Sequence, residues 1–257
     1  MKYIQTYKDF LLEAKEVKLD TLELIANLAK VSIEKLVNLT ALTLNNNKLN
    51  KLKELPKEIG NLTKLTYLDL SDNQLTELPK EIGNLTKLTE LNLRDNKLKE
   101  FPKEIGNLKN LEELNLNRNQ LVELPKEIGN LMNLKILNLY NNQLTELPKE
   151  IGNLTKLTYL NLDNNKLTEL PKEIGNLKNL TELYLHVNEL VSIPVEFVKL
   201  KVFDSLNLKG LSNEVWLRLF KMNGIKVIKH KDFPKHLRGH KDIEDVANAD
   251  DFGFFDN

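Results

Sequence analysis

A 23-residue unit repeated along most of the chain is the feature that most constrains the fold. Close copies of LTYLDLSDNQLTELPKEIGNLTK begin at Leu65, Leu88, Leu111, Leu134, Leu157 and Leu180. The copy that begins at Leu39 is three residues longer, and a degenerate copy begins at Phe203. A fixed period of this length is typical of a solenoid, because each unit cannot bury its own apolar face and has to stack on a neighbour. The sequence therefore predicts one continuous array of about eight units over residues 39–211.

Each unit contains the pattern L-x-x-L-x-L-x-x-N-x-L, in which the L-x-L pair alternates with a period of two. This alternation predicts a short strand with both leucines on one face. Equivalent strands of stacked units run parallel. We expect eight such strands, at the pairs Leu42/Leu44, Leu68/Leu70, Leu91/Leu93, Leu114/Leu116, Leu137/Leu139, Leu160/Leu162, Leu183/Leu185 and Leu206/Leu208.

An asparagine recurs three residues after the second leucine of the pair, and we interpret it as structural. Buried polar groups need hydrogen-bond partners, and an amide can satisfy backbone groups where the strand leaves the sheet. The predicted ladder consists of Asn47, Asn73, Asn96, Asn119, Asn142, Asn165 and Asn188. In the last unit this position is Leu211, so the ladder is expected to end there.

The second half of each unit reads L-P-K-E-I-G-N-L and is predicted to form the convex side. Its proline fixes φ and ends the strand. Its glycine is expected to supply permissive backbone for the returning turn. From Leu190 the sequence departs from the repeat and reads LVSIPVEFVKL. Phe197 replaces the isoleucine of the repeat, and Val198 replaces the glycine. Such drift is typical of the end of an array.

The unit resembles the leucine-rich repeat family, and PKEIGNL at 23-residue spacing is similar to the leptospiral (spirochaete) members in particular. The resemblance covers roughly residues 36–211. It implies an α/β fold, a right-handed solenoid with a parallel sheet on its concave side. It also implies a protein-binding module, and for some members a location exposed to host cells, with a host-interaction or virulence role.

Composition excludes several classes of partner and cofactor. Lys+Arg and Asp+Glu are equal at 37 each, so the chain has no excess of positive charge that would bind nucleic acid or an anionic membrane. The absence of cysteine excludes disulfides and thiolate metal sites. We expect no membrane span, since no stretch approaches the ~18 apolar residues that one needs. The N-terminal sequence is not a secretory signal, which favours the cytoplasm unless a signal was removed or export is non-classical.

The two ends are expected to close the array. Residues 1–38 are predicted to form a helical N-terminal cap, and residues 212–230 a C-terminal cap with a helix and a strand. Without such caps the ends would expose apolar core and a strand edge. Residues 231–257 are interpreted as a mobile polar tail, because they lack an apolar periodicity.

No catalytic constellation is found in the sequence, and we expect neither enzymatic activity nor a cofactor. The chain contains no phosphate-binding glycine loop, nucleophile elbow or H-E-x-x-H motif. His230, His236 and His240 could share a metal ion on a helix. Pro234 and Gly239 oppose a stable helix there, so a solvated tail is the favoured interpretation.

The positions between the strand leucines differ from copy to copy, whereas PKEIGNL is nearly invariant within the chain. Variation on a fixed scaffold is where binding specificity resides. The candidate partner-binding residues on the concave face are Ile136, Tyr140, Tyr159, Tyr184, His186, Val187, Tyr67, Arg94 and Arg118. We expect the apolar ones to be exposed and clustered on three adjacent strands, where tyrosines act as interface hot spots. The alternative is cross-strand packing that only stabilises the sheet.

The other half of the concave face is more acidic. Asp69, Asp72, Glu90, Asp95 and Glu113 outnumber Arg94 and Arg118, which favours a basic or polar contact there. The leading hypothesis is a non-enzymatic module that recognises a protein partner through the concave face. The alternatives are a structural protein that self-associates as a weak homo-oligomer and a carbohydrate-binding surface.

Overall fold

The computed structural model describes residues 33–45, 52–194, 196, 197 and 200. Within these residues, seven parallel strands form one open sheet in chain order. They are β1 (Ala41–Thr43), β2 (Tyr67–Asp69), β3 (Glu90–Asn92), β4 (Glu113–Asn115), β5 (Ile136–Asn138), β6 (Tyr159–Asn161) and β7 (Glu182–Tyr184). A short helix α1 (Ile33–Leu36) precedes them. The predicted solenoid with a parallel sheet is confirmed.

The first leucine of each pair lies at the centre of its strand. Leu68 is in register with Leu91, and this pairing is repeated along the sheet. The second leucine lies just after the strand, yet its N–H continues the ladder, as in Leu70 N–H to the Asn92 carbonyl at 2.8 Å. Both leucines are buried in every described unit, so the sheet rests on one continuous apolar core. The eighth pair, Leu206/Leu208, lies outside the described residues.

In the described part of the chain, six units have a short 3-10 helix with the sequence KEIGN on the side opposite the sheet. The six copies are Lys57–Asn61, Lys80–Asn84, Lys103–Asn107, Lys126–Asn130, Lys149–Asn153 and Lys172–Asn176. A proline precedes each helix in an extended conformation, such as Pro79 with φ −66° and ψ 145°. Since the proline ring fixes φ near this value, every copy enters the helix from the same direction. The isoleucine of each helix, such as Ile82, is fully buried.

The expectation that the repeat glycines supply unusual backbone freedom is wrong. None of these six glycines has a left-handed φ. Each instead lies against the next turn of the solenoid. A Cβ atom on Gly129 would approach the Glu150 carbonyl oxygen to 2.5 Å and the Glu150 Cβ to 2.7 Å. The glycine is therefore required by the close approach of neighbouring turns.

The two predicted caps lie largely outside the described residues. Within the N-terminal segment 1–38, Leu36 of α1 is fully buried in the same apolar cluster as the array. At the other end Phe197 fills the position of the repeat isoleucine and is also fully buried. The predicted C-terminal cap (212–230), the polar tail (231–257) and its histidines lie outside the described residues.

Candidate partner-binding face

The recurring asparagines join each unit to the one before it. Asn119 Oδ1 accepts a hydrogen bond from Leu98 N–H at 3.0 Å, and its Nδ2 donates to the carbonyls of Leu93 and Leu116 at 3.0 and 3.1 Å. Leu98 and Leu93 belong to the preceding unit. The same arrangement is present at Asn73, Asn96, Asn142, Asn165 and Asn188. These side chains are buried up to Asn165, and Asn188 is half-buried. Asn47 lies outside the described residues.

A second polar series, at the position between the two leucines of the pair, caps the loops after β2 to β6. In this series a side-chain oxygen accepts the backbone N–H two residues later, as an Asx turn does. Its members are Asp69, Asn92, Asn115, Asn138 and Asn161. The signal for it was the recurrence of Asn at one position in four consecutive copies. These side chains support the scaffold and leave fewer positions free for a partner.

The last strand departs from this second series, because Tyr184 occupies the capping position. The N–H of His186 is bound instead by Asp163 Oδ1 of the preceding unit. The ring of Tyr184 packs across the sheet against Tyr159. Its ring lies 5.5 Å from that of Tyr159, centroid to centroid, with an interplanar angle of 47°. That contact is the cross-strand packing named above as the alternative to partner binding.

Ile136, Tyr159 and Tyr184 form a continuous strip across β5, β6 and β7. Ile136 is directly opposite Tyr159, and Tyr184 lies one diagonal step further. All three side chains are half-buried, as is Tyr140 in the loop after β5. The expectation that these side chains are exposed is therefore wrong, and the packing of the Tyr159 and Tyr184 rings against each other contributes to their burial. Val187, at 56% exposure, and His186 are exposed at the end of the strip.

Polar groups surround the aromatic strip and fix its orientation. The Tyr184 hydroxyl donates to Glu182 Oε2 at 2.8 Å. This bond, together with burial and nearby negative charge, raises the pKa of Tyr184 to about 12. The Tyr159 hydroxyl accepts from Asn161 Nδ2 at 3.2 Å. Burial raises the pKa of the Asp163 carboxyl, against the lowering influence of His186. The strip thus presents apolar ring faces with tethered polar tips.

Val187 adopts a left-handed backbone conformation, with φ of 53°. The equivalent residues in the other described units, Asp72, Asp95, Arg118, Asn141 and Asn164, have φ between 53° and 57°. Asn and Asp tolerate this region, whereas a β-branched residue there is strained. The repeat imposes this conformation on every described unit, and at Val187 it falls on an exposed β-branched residue.

Replacing Val187 with asparagine is expected to raise the free energy of unfolding by about 1 kcal/mol, because asparagine relieves the strain. Chemical denaturation of the two proteins measures the difference. The matched control is Val191→Asn, since Val191 is 60% exposed and has a negative φ. That change is expected to alter stability by less than about 0.5 kcal/mol. Equal effects at both positions would contradict the assignment of strain.

The remaining predicted contact residues lie apart from the aromatic strip. Arg94 and Arg118 follow β3 and β4 and share one acid: Asp95 Oδ2 lies 2.7 Å from Arg94 Nε and 3.6 Å from an Arg118 terminal nitrogen. Tyr67 is half-buried on β2. Burial raises its pKa, with a further contribution from Asp69 and Glu90. The structure thus divides the predicted site into an aromatic part and a charged part.

Within the described part of the chain, no group of three or more His, Asp or Glu side chains is placed to bind a metal ion. Among the same residues, no helix has the length and apolar character that crossing a bilayer requires.

Comparison with known families gives two matches. The family described as leucine-rich repeat region matches residues 17–120 and 149–232. A second leucine-rich repeat family matches residues 109–167. No curated protein is similar enough to the chain to count as a match.

Three solved structures are similar to the chain. A leucine-rich repeat protein of Leptospira interrogans is 36% identical over 71% of this chain and 58% of its own, with a TM-score of 0.49. The ectodomain of the receptor kinase GASSHO1/SCHENGEN3 of Arabidopsis thaliana, in complex with CASPARIAN STRIP INTEGRITY FACTOR 2, is 35% identical over 63% of this chain and 20% of its own, with a TM-score of 0.58. An internalin of Listeria monocytogenes is 30% identical over 66% and 48%, with a TM-score of 0.55.

The match to the leucine-rich repeat region family confirms the predicted resemblance to leucine-rich repeat proteins. In each comparison the chain spans less than two thirds of the similar protein, namely 58%, 20% and 48% of its length.

Proposed function

The chain belongs to the leucine-rich repeat family, and on that premise we propose that it is a non-enzymatic module that binds a protein partner through the concave face of its sheet. The observation that supports this most is the strip Ile136–Tyr159–Tyr184, which ends at the strained, exposed Val187. Tyrosine gives a large and rigid contact area with a polar tip, and it is enriched among hot spots. Tethering of the tyrosine hydroxyls lowers the entropy lost when a partner binds.

The comparisons support the same class of function. The Arabidopsis ectodomain was solved in complex with CASPARIAN STRIP INTEGRITY FACTOR 2. More specifically, we propose that the partner comes from a host organism. The resemblance of the repeat to leptospiral members supports this. For the alternatives, light scattering at several concentrations tests self-association, and a glycan array tests carbohydrate binding.

The proposal is tested with a partner isolated by pull-down, in which Tyr159→Ala/Tyr184→Ala provides the negative control. For the purified partner, Tyr159→Ala and Tyr184→Ala are each expected to cost about 2 kcal/mol of binding free energy, as central hot spots do. The matched control is Lys80→Ala, because Lys80 is exposed on the KEIGN side of the solenoid. Circular dichroism confirms folding, since the ring contact also stabilises the sheet. Unchanged affinity in both folded tyrosine variants would rule out the aromatic strip.

A further inference from the structure

A groove on the concave face lies beside the aromatic strip and shares Ile136 with it. The groove has a volume of about 180 Å³ and crosses β2 to β5. Tyr67 lines one end of the groove and Ile136 lines the other, with Glu90 and Glu113 between them. Small-molecule pockets usually measure about 300–1,000 Å³. The volume of the groove therefore suits one side chain of a larger partner.

The two glutamates of the groove oppose each other directly. Glu90 and Glu113 are register partners on β3 and β4, and neighbouring strands are about 4.8 Å apart. Like charges in this arrangement destabilise a sheet. Both residues are exposed, and in the described part of the chain neither forms an ion pair. The nearby Arg94 and Arg118 are directed to Asp95 instead.

We propose that this groove binds a lysine or arginine side chain from a protein segment that also covers the aromatic strip. The inference rests on the proposed function and adds the chemistry of the partner. A cation between Glu90 and Glu113 lies within ion-pair distance of both carboxylates and relieves their repulsion. Tyr67 offers a ring face for a cation–π contact, and Ile136 packs against the aliphatic stem. Since Ile136 also adjoins Tyr159, the segment continues from the groove onto the strip.

The test is a selection of peptides from a random phage-displayed library on the immobilised full chain. The selected peptides are expected to be enriched in lysine or arginine relative to the starting library. Affinity for a synthetic representative should fall about fivefold on Glu90→Gln/Glu113→Gln, the effect of losing two exposed ion pairs. The matched control is Glu77→Gln/Glu100→Gln, which changes the charge equally at two exposed glutamates of neighbouring units outside the groove. This control should leave affinity unchanged.

The affinities of the selected peptides for the two double variants distinguish a wrong assignment of the groove from a wrong proposed function. If the peptides lose affinity on Tyr159→Ala/Tyr184→Ala but show neither basic enrichment nor any effect of Glu90→Gln/Glu113→Gln, the inference is overturned and the proposed function stands. If neither concave variant alters affinity, both are overturned. A selection that yields no peptide also counts against both.

Two further measurements identify a different occupant of the groove. Calcium chloride that binds the wild-type chain but not Glu90→Gln/Glu113→Gln in calorimetry would assign the groove to a metal ion. Concentration-dependent association of the chain that this double variant abolishes in light scattering would assign it to a second copy. Either result overturns the inference.

Discussion

Replacing Asn119 with alanine is expected to lower the free energy of unfolding by about 3 kcal/mol. The carbonyls of Leu93 and Leu116 lose one of their two amide donors, but Asn96 and Asn142 still bond to them. The N–H of Leu98 has no such second partner in the described structure. The predicted cost therefore combines one buried, unsatisfied N–H with the hydrogen bonds lost from Nδ2. Urea denaturation of the purified variant measures it.

A control at an exposed asparagine separates the cost of leaving buried groups unpaired from the cost of losing any asparagine side chain. Asn110 is exposed and its Nδ2 donates one hydrogen bond, to the Thr86 carbonyl at 2.8 Å. Asn110→Ala is expected to cost about 0.5 kcal/mol. The double variant Asn96→Ala/Asn119→Ala should cost about 1 kcal/mol more than the sum of the single changes, because Leu93 O then loses both donors. Strict additivity would contradict this account of shared carbonyls.

The sequence was sufficient to predict the strand positions and the parallel sheet. The alternating leucines determine which face of each strand is buried, and the constant period determines that the strands stack in register. This worked for pairs such as Leu91/Leu93 because local periodicity and long-range packing agree in a solenoid. The eighth predicted pair and both caps fall largely outside the described residues.

Three features were not predicted from the repeat: two depend on the distance between units, and one is a local hydrogen bond within a unit. Glycine in KEIGN was assigned to backbone freedom, whereas the structure shows that the next turn excludes a Cβ atom. Asn115 and its equivalents were counted as free concave positions, but their side chains cap the loop two residues later. Tyr159 was expected to be exposed and is half-buried, because Tyr184 packs against it from the next strand.

Replacing Gly129 with alanine is expected to destabilise the chain by about 3 kcal/mol, although alanine is the better helix former by about 1 kcal/mol. The two effects have opposite signs, so the direction of the change alone decides between helix propensity and close packing. The new Cβ would lie 2.5 Å from the Glu150 carbonyl oxygen and 3.1 Å from Asn153 Nδ2. Because the nearest atom is backbone, relief requires the two turns to separate, which disturbs the buried Ile128 and Ile151 beneath them.

Thermal and urea denaturation of Gly129→Ala measure the effect, with Asn130→Ala as the control. Asn130 is the next residue of the same 3-10 helix and its side chain is exposed, so its replacement is expected to change stability by less than about 0.5 kcal/mol. Gly83→Ala should reproduce the loss, because the Glu104 carbonyl oxygen would lie 2.5 Å from its Cβ. If Gly129→Ala is neutral or stabilising, neighbouring turns have room for a methyl group, and the glycine requires another explanation.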